Sequence, residues 1–449
     1  MPSIPDPAPR EVGPRQVLAL AVPAFLALVA EPLFLIVDAA VVGRLGVVEL
    51  AGLGTASSVL LTATGVFVFL AYGTTSVVAR QFGAGSRRAA IETGVGGVWL
   101  AAGLGLLAAL VLGLGAPWLA AAFGSSPQAL AQAVIYLRIS ALGLPAMLLV
   151  LSATGILRGL QDTRTPLVVA TVGFGVNAAL SIALVLWACL GIAGAAWGTV
   201  IAQWGMALAL LTIVLLQGRA VDASLRPHVG RVVSAALDGI PLLIRTLALR
   251  AIILLTVAAA AAFGDVPLAA YQVTTTIWSL LVFALDALAI AGQALTGAAL
   301  GGGDARGARA ATALMVRWGV WGGVGLGAVL LALHRVLPAL FTQDPAVRGA
   351  IAAGLIVVAL AQPLSGYVFV IDGVLIGAGD GRWLAGSMAL VLLSYVPVIT
   401  LARAVGGGHG PQWAVVTLWL AFTVFMAIRG GFMAWRIRGE AWAVTGARR

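Results

Sequence analysis

The segment GLQDTR at residues 159–164 recurs 218 positions later as GAGDGR at residues 377–382. Three prolines repeat at the same distance, since 241 − 23, 345 − 127 and 363 − 145 all equal 218. The paired positions are Pro23 with Pro241, Pro127 with Pro345, and Pro145 with Pro363. Because no insertion separates these pairs, the chain is predicted to consist of two equivalent halves in tandem.

Apolar runs recur along both halves. Of the 449 residues, 61% are hydrophobic and 9% are charged, whereas soluble domains carry about 25% charged residues. A helix of about twenty apolar residues crosses the hydrocarbon core of a bilayer. The fold class is therefore predicted to be an all-α polytopic membrane protein with twelve transmembrane helices, over residues 16–43, 51–79, 93–116, 130–152, 166–190, 192–217, 234–262, 268–298, 312–334, 349–377, 384–404 and 413–435.

The polar interruptions divide the chain into lobes. We predict a tail at 1–15, a six-helix lobe at 16–215, a linker at 216–233, a second six-helix lobe at 234–435 and a tail at 436–449. Because six is an even number, both halves enter the membrane from the same side, and the lobes are predicted to be parallel and pseudo-symmetric. That architecture is typical of transporters that bind a solute near the bilayer midplane.

The formal net charge of +10 comes from arginines in alternate loops. The arginine-rich loops hold Arg80, Arg87, Arg88, Arg158, Arg164, Arg219, Arg226, Arg231, Arg306, Arg309, Arg382, Arg436 and Arg438. The positive-inside rule therefore places the linker and both termini in the cytoplasm, and we expect a multi-pass protein of the bacterial plasma (inner) membrane. The arginines form no stripe interleaved with aromatic residues, which argues against a nucleic-acid partner.

Four acids lie well inside the predicted spans: Glu31, Asp38, Asp286 and Asp372. An ionised carboxylate at the centre of a membrane helix costs about 2.5–3.5 kcal/mol, so each acid needs a partner, water or a proton. Glu31 and Asp38 are seven residues apart and share a helix face. Burial favours the neutral form of a carboxyl group, which makes Asp38 a candidate for loading and unloading a proton. The alternatives are a permanently protonated acid or an ion pair with Arg245 or Arg250.

The acids are not duplicated between the halves. The offset of 218 takes Asp38 to Thr256, and both Asp286 and Asp372 lie in the second half alone. This asymmetry predicts ion coupling in the first lobe, with Glu31, Asp286 and Asp372 contacting substrate in a cavity. Packing hydrogen bonds are the alternative for the two second-half aspartates.

Four segments carry a family resemblance. They are VPAFLALVAEPLFLIVDAAVVGRLG at 22–46, QFGAGSRRAA at 81–90, ATGILRGLQDTRTPL at 153–167 and LDALAIAGQALTGAALGGGDARGARA at 285–310. Together they resemble the multidrug and toxic compound extrusion (MATE) transporters, and their DinF-like branch in particular. The resemblance extends over nearly the whole chain. It implies two six-helix lobes that export organic compounds in exchange for protons or sodium ions.

The resemblance also implies a set of ion-coupling residues. Asp38 matches the coupling aspartate of that branch, and Tyr136, Asn177 and Thr199 match polar residues near the same cavity. Ser181 stands where some members have a second aspartate. A sodium ion at Asp38, Asn177 and Thr199 is the alternative to a proton. From spacing alone, Asn177 and Ser181 share a helix face and are equally well explained as hydrogen bonds between helices.

We therefore predict a secondary antiporter for drugs or other amphipathic compounds, coupled to protons or else to sodium, which acts as a monomer without a cofactor. A flippase for lipid-linked sugars is the second candidate, and it requires cavity-facing cations. The arginines inside the spans are Arg245, Arg250, Arg317 and Arg429. An intramembrane enzyme is the third candidate, but the three histidines lie in loops or at helix ends. The single cysteine, Cys189, is expected to be a small core residue.

Overall fold

The computed structural model of the chain describes residues 13–122 and 126–447, apart from the side chains of residues 31, 33 and 34. Every regular element in these ranges is helical. The α-helices are α1 Pro14–Gly43, α2 Val47–Phe67, α3 Phe69–Gly83, α4 Arg87–Ala121, α5 Pro127–Ala141, α6 Leu144–Gly159, α7 Arg164–Ile182, α8 Gly191–Arg219, α9 Val229–Ala262, α10 Asp265–Gly301, α11 Ala305–Leu333, α12 Pro345–Gly377, α13 Gly381–Gly406 and α14 Pro411–Arg438. A π-helical segment spans Ala183–Trp187 and a 3₁₀ turn spans Leu337–Leu340.

These helices provide the predicted number of membrane spans. Eleven spans in the described chain are long and apolar enough to cross a bilayer, and the bent pair of α5 and α6 makes a twelfth. The predicted all-α, twelve-span fold class is confirmed. The fourth predicted span, 130–152, corresponds to the pair of α5 and α6, which meet at an angle of 51°.

Element boundaries repeat at the same offset as the sequence. Adding 218 to Val47–Gly83, the span of α2 and α3, gives Asp265–Gly301, the bounds of α10. Adding 218 to Pro127–Gly159, the span of α5 and α6, gives Pro345–Gly377, the bounds of α12. The scaffold is thus duplicated, but it is interrupted in the first half where the second half has continuous helices.

The break between α5 and α6 coincides with a hydrogen bond that the second half lacks. Proline removes a helical N–H and crowds the carbonyl four residues earlier, so it can break a helix. Pro145 and its counterpart Pro363 occupy equivalent positions, but only Pro145 lies at a break. Proline by itself therefore does not explain the difference between the halves. At this break the indole Nε1 of Trp204 donates to the carbonyl oxygen of Leu142 at 3.0 Å. The counterpart of Trp204 is Phe422, which has no N–H to donate. The Leu142 carbonyl oxygen at the break is therefore hydrogen-bonded by Trp204, a donor that the second half lacks.

Close backbone contacts join equivalent helix pairs in both halves. A Cβ atom on Gly155 of α6 would lie 2.8 Å from the carbonyl oxygen of Ala71 in α3. A Cβ atom on Gly373 of α12 would lie 2.2 Å from the carbonyl oxygen of Ala289 in α10. Small residues allow membrane helices to approach this closely, so the paired glycines fix the α3–α6 and α10–α12 contacts.

The described chain groups into two compact units. One unit comprises Val22–Ile240, and the other comprises Pro241–Ala447 with the residues up to Ala21. The first unit has an apolar core between α2, α4, α5 and α8, which includes Val59, Leu112, Leu137 and Ala196. The lobe limits 16–215 and 234–435 stay a prediction.

Two expectations about single residues are wrong. Arg80 is buried in the last turn of α3 rather than in a loop, because that helix continues to Gly83. Cys189 is exposed rather than a core residue. It lies in the turn after the π-helical segment with a φ of 54°, a left-handed conformation that seldom occurs inside a packed helix.

Candidate ion-coupling site

Five predicted side chains converge inside the unit Val22–Ile240. They are Asp38 on α1, Tyr136 on α5, Asn177 and Ser181 on α7, and Thr199 on α8. Asp38 and Asn177 are 3% exposed, Tyr136 is 4% exposed and Ser181 is fully buried. Thr199 is half-buried. The structure therefore brings together residues that are up to 161 positions apart in the sequence, since 199 − 38 = 161.

The carboxyl group of Asp38 is held from two other helices. The Ser181 hydroxyl lies 3.0 Å from Asp38 Oδ1, and the Tyr136 hydroxyl donates to Asp38 Oδ2 at 3.3 Å. Buried polar atoms in proteins are almost always hydrogen-bonded, because an unpaired polar group in an apolar environment is costly. Each oxygen of Asp38 thus has its own partner.

The network continues from Ser181 along α7 to α8. Ser181 Oγ also lies 3.2 Å from Asn177 Oδ1. Asn177 Nδ2 donates to Thr199 Oγ1 at 3.4 Å, and the Thr199 hydroxyl donates to the carbonyl oxygen of Ala195 at 3.1 Å. The bonds between α7 and its neighbours fit the predicted interhelical hydrogen bonding, and they connect the Asp38 carboxyl to α8.

The hydrogen-bond network is one proton short when Asp38 is ionised. Ser181 has one hydroxyl proton but lies within hydrogen-bond distance of two acceptors, Asp38 Oδ1 and Asn177 Oδ1. The Tyr136 proton is already directed at Oδ2 of the same carboxyl. Two donors therefore face three acceptor oxygens, and one further proton or a cation would complete the set.

The helix changes its geometry just after this network. The π-helical segment Ala183–Trp187 begins two residues beyond Ser181, and the Ala188 N–H bonds to the carbonyl oxygen of Ala183 at 2.9 Å. The corresponding part of α13 is a continuous α-helix. Short π-helical insertions are frequent at functional sites, so this feature marks the same part of the first half as the polar network does.

The symmetry-related position in the second half carries no acid. The offset of 218 takes Asp38 to Thr256 and Asn177 to Tyr395. Thr256 Oγ1 and the Tyr395 hydroxyl are hydrogen-bonded at 2.7 Å, and both side chains are fully buried. The sequence repeat contained the signal for this pair, which was not predicted. A neutral hydrogen bond thus stands where the first half has a titratable group.

Asp372 is surrounded by arginines in the unit that contains Pro241–Ala447. Arg245 Nε donates to Asp372 Oδ1 at 3.0 Å, and Arg245 Nη2 bonds to Oδ2 of the same carboxylate. Arg429 Nη2 lies 2.7 Å from Asp372 Oδ1. All three residues are at most 6% exposed. Arg245, considered above as a partner for Asp38, pairs with Asp372 instead. A substrate contact for Asp372 stays a prediction.

The remaining predicted substrate residues are placed as follows. Asp286 is half-buried on α10. Glu31 belongs to α1, and its side chain lies outside the described residues. Their role in a substrate cavity stays a prediction.

A chain of aromatic rings in the second half was not predicted from sequence. The ring centroids of successive members lie 5.1–6.3 Å apart. Its members are Tyr271, Trp278, Tyr395, Trp419, Phe422 and Phe425. Because these residues come from α10, α13 and α14, no single periodic run reveals them.

The MatE family model matches the chain twice, over residues 23–183 and 241–401. The two matches are offset by 218 residues at both ends, as the internal repeat is. The chain belongs to the MatE family. It is thus a MATE transporter of the multidrug and toxic compound extrusion type rather than an enzyme.

Individual relatives cover nearly the whole of this MATE transporter. It is 33% identical to Protein DETOXIFICATION 44, chloroplastic, of Arabidopsis thaliana over 446 residues, covering 96% of this chain and 84% of the relative. It is 31% identical to DNA damage-inducible protein F of Escherichia coli strain K12 over 437 residues, covering 93% and 91%. The second relative confirms the resemblance to the DinF branch.

Solved structures support the fold. The outward-facing conformation of a multidrug resistance MATE family transporter of the MOP superfamily superposes with a TM-score of 0.83. The two chains are 20% identical, and the match covers 94% of this chain and 95% of the other. At that identity the similarity establishes the architecture alone.

Proposed function

We propose that this MATE transporter is a secondary antiporter that exports drugs or other amphipathic organic compounds in exchange for protons. Asp38 carries the proton. The observation that supports this proposal is a shared donor in the buried network: among the described side chains, the one Ser181 hydroxyl proton faces both Asp38 Oδ1 and Asn177 Oδ1.

Protonation of Asp38 supplies the missing donor. A proton on Oδ1 is donated to Ser181 Oγ, which leaves the Ser181 hydroxyl free to donate to Asn177 Oδ1. Tyr136 continues to donate to Oδ2. Loss of the proton leaves one buried acceptor without a partner, at a cost of about 1–3 kcal/mol. The protonation state thus decides whether Ser181 donates to Asp38 on α1 or to Asn177 on α7, and a state-dependent contact of this kind is what ion coupling to a conformational change requires.

Sodium fits the same site less well. Asp38, Ser181 and Asn177 would offer oxygen ligands, but they carry one formal negative charge between them. A sodium ion must lose most of its hydration shell to enter a buried site, and a single carboxylate repays less of that cost than two would. A lone buried carboxyl group, in contrast, readily takes up one proton.

Aromatic side chains support the amphipathic cargo. Trp278 of this ring chain is half-buried, and an accessible aromatic face attracts organic cations and aromatic groups. The other five rings are at most 6% exposed and pack against one another.

A lipid-linked sugar is the second candidate cargo, and one observation favours it. Arg245 and Arg429 share the single carboxylate of Asp372, so the three side chains carry a net charge of +1. Buried cations in a membrane protein are costly and often face a substrate pathway. An anionic headgroup would be attracted to these guanidinium groups.

We also propose that the transporter acts as a monomer in the bacterial inner membrane, with the linker and both termini in the cytoplasm. The distribution of arginines over alternate loops supports this orientation.

Transport in proteoliposomes tests the coupling ion. An inward proton gradient without sodium should drive efflux of a lipophilic cation, and each pH unit supplies about 1.4 kcal/mol per proton. Asp38→Asn should abolish this efflux, whereas Asp265→Asn, at the exposed start of α10, should retain it. Efflux that requires a sodium gradient and persists after the pH gradient is collapsed would contradict proton coupling. A cargo that is moved only when it carries a lipid-linked anionic sugar would favour the second candidate.

A further inference from the structure

An open groove lies where α8 ends and the chain turns towards α9. Its volume is about 540 Å³, and it lies wholly within the unit Val22–Ile240. The lining includes Trp99, Leu215, Arg219, Leu225, Arg226 and Pro227. The groove thus combines apolar and cationic side chains at one surface.

The groove is cationic. Arg219 and Arg226 are both exposed, and within the described chain neither forms an ion pair. No acidic side chain contributes to the lining. The acid of this turn, Asp222, is exposed and lies outside the lining. The charge of the two arginines is therefore left for a ligand.

The turn that forms the groove is fastened to α4. Glu92 Oε1 accepts the Ser224 N–H at 2.9 Å, and Glu92 Oε2 accepts Arg231 Nη2 at 2.6 Å. The Trp99 indole Nε1 donates to the carbonyl oxygen of Leu225 at 3.4 Å. These bonds hold the backbone between α8 and α9 against α4, so the groove is formed before any ligand arrives.

The apolar part of the groove faces outward. Trp99 is 43% exposed and Leu215 is 41% exposed. Tryptophan is enriched where membrane proteins pass from hydrocarbon to headgroups. A ligand that occupies this groove would therefore meet cations at one end and apolar side chains at the other.

We propose that this groove binds an anionic phospholipid as a resident ligand, separate from the transported cargo. The phosphate lies between Arg219 and Arg226, because guanidinium groups bond to phosphate oxygens in a bidentate fashion. The glycerol and the start of an acyl chain lie along Trp99 and Leu215. The predicted cytoplasmic position of the turn places it at the leaflet that carries anionic lipids.

Native mass spectrometry of the detergent-purified transporter tests this site. We expect dioleoylphosphatidylglycerol to remain bound and dioleoylphosphatidylcholine to be lost. The double variant Arg219→Gln/Arg226→Gln should lose about 30-fold in apparent affinity, since each basic residue near an anionic lipid surface contributes about 1 kcal/mol. The lysine double variant should recover part of the loss, because it restores the charge without the bidentate geometry.

The matched control is Arg335→Gln/Arg403→Gln, which removes the same charge at two exposed positions elsewhere. It should bind phosphatidylglycerol as the unmodified protein does. An equal loss in the control, or equal retention of phosphatidylcholine, would overturn the site.

Glu92→Gln separates a shaped site from a diffuse basic surface. The substitution makes the region more positive by one charge and replaces the carboxylate oxygen that accepts Arg231 Nη2 by an NH2 group, so it releases Arg231 from α4, whereas the amide oxygen can still accept the Ser224 N–H. A preformed groove should bind phosphatidylglycerol more weakly after this change, whereas tighter binding would contradict the proposal. Inorganic phosphate at millimolar concentration should not displace the lipid, because it lacks the apolar contacts. Displacement by phosphate alone would also contradict it.

Discussion

The Ser181 hydroxyl lies 3.0 Å from the carboxyl oxygen Oδ1 of Asp38, although the two residues are 143 positions apart in the chain. This contact joins α7 to α1. Since Ser181 also faces Asn177 Oδ1 at 3.2 Å, one hydroxyl proton serves two acceptors. The protonation state of Asp38 therefore decides which of these two hydrogen bonds Ser181 donates.

Ser181→Ala should lower proton-driven efflux by about tenfold, because the substitution removes a hydrogen bond to a charged group that is worth about 1.5–3 kcal/mol. Initial efflux rates in proteoliposomes measure this effect. Ser58→Ala is the matched control, since the Ser58 hydroxyl donates to the carbonyl oxygen of Gly54 in its own helix at 2.9 Å. Equal rates for Ser181→Ala and Ser58→Ala would remove Ser181 from the coupling network.

Cys189 provides a native reporter of membrane orientation. Its side chain is exposed in the turn before α8, which the predicted topology places outside the cell. A membrane-impermeant maleimide should label the unmodified protein in intact cells, and Cys189→Ser should abolish labelling. Ser224→Cys in the Cys189→Ser background should react only after permeabilisation, because Ser224 is exposed in the predicted cytoplasmic linker. The opposite pattern would invert the orientation.

Much of the fold followed from the sequence because its signals are strong and local. Apolar runs indicate the spans, and the prolines and the GLQDTR segment indicate the duplication. The breaks in the first half were missed, because proline occurs at position 145 and again at position 363. At the break between α5 and α6, Leu142 accepts from Trp204, a donor on another helix that no local pattern associates with it.

The candidate site was also predictable only in part, because its residues can be recognised in the sequence but their partners cannot. Asp38, Tyr136, Asn177, Ser181 and Thr199 came mainly from a family resemblance, and the structure brings all five together. The pairing of Arg245 and Arg429 with Asp372 was not foreseen, because it joins three helices far apart in the chain. Sequence patterns identify costly residues inside a membrane, whereas their partners depend on tertiary packing.

Gly373→Ala should destabilise the protein by about 1–3 kcal/mol, because the added methyl group meets the backbone of α10 and overpacks the helix contact. Its Cβ would lie 2.2 Å from the carbonyl oxygen of Ala289. Gly386→Ala on α13 is the control, since a Cβ there meets nothing within 4 Å. That variant should be stabilised by about 1 kcal/mol through higher helix propensity. Thermal unfolding in detergent should give shifts of opposite sign, and shifts of the same sign would contradict this packing.

In the buried cluster around Asp372, removing the carboxylate should lower the stability of the protein more than removing one arginine. Asp372→Asn leaves two buried guanidinium groups without their shared carboxylate, and we expect a loss of about 3–5 kcal/mol in stability. Arg245→Met keeps the ion pair between Arg429 Nη2 and Asp372 Oδ1, which lie 2.7 Å apart. We expect this variant to lose about 1–2 kcal/mol, the cost of hydrogen bonds alone.

The ranking of unfolding temperatures in detergent measures this difference. Glu440→Gln serves as the control, since the side chain of Glu440 is 90% exposed and its ion pair with Arg309 spans 3.3 Å at the surface. An exposed pair of this kind contributes at most about 1 kcal/mol, so this variant should unfold close to the unmodified protein. An unfolding temperature that is lower for Arg245→Met than for Asp372→Asn would contradict this expectation. It would mean that Asp372 is not what stabilises the buried arginines. The expected order, with Asp372→Asn lowest, follows because an unpaired buried charge costs more than a missing hydrogen bond.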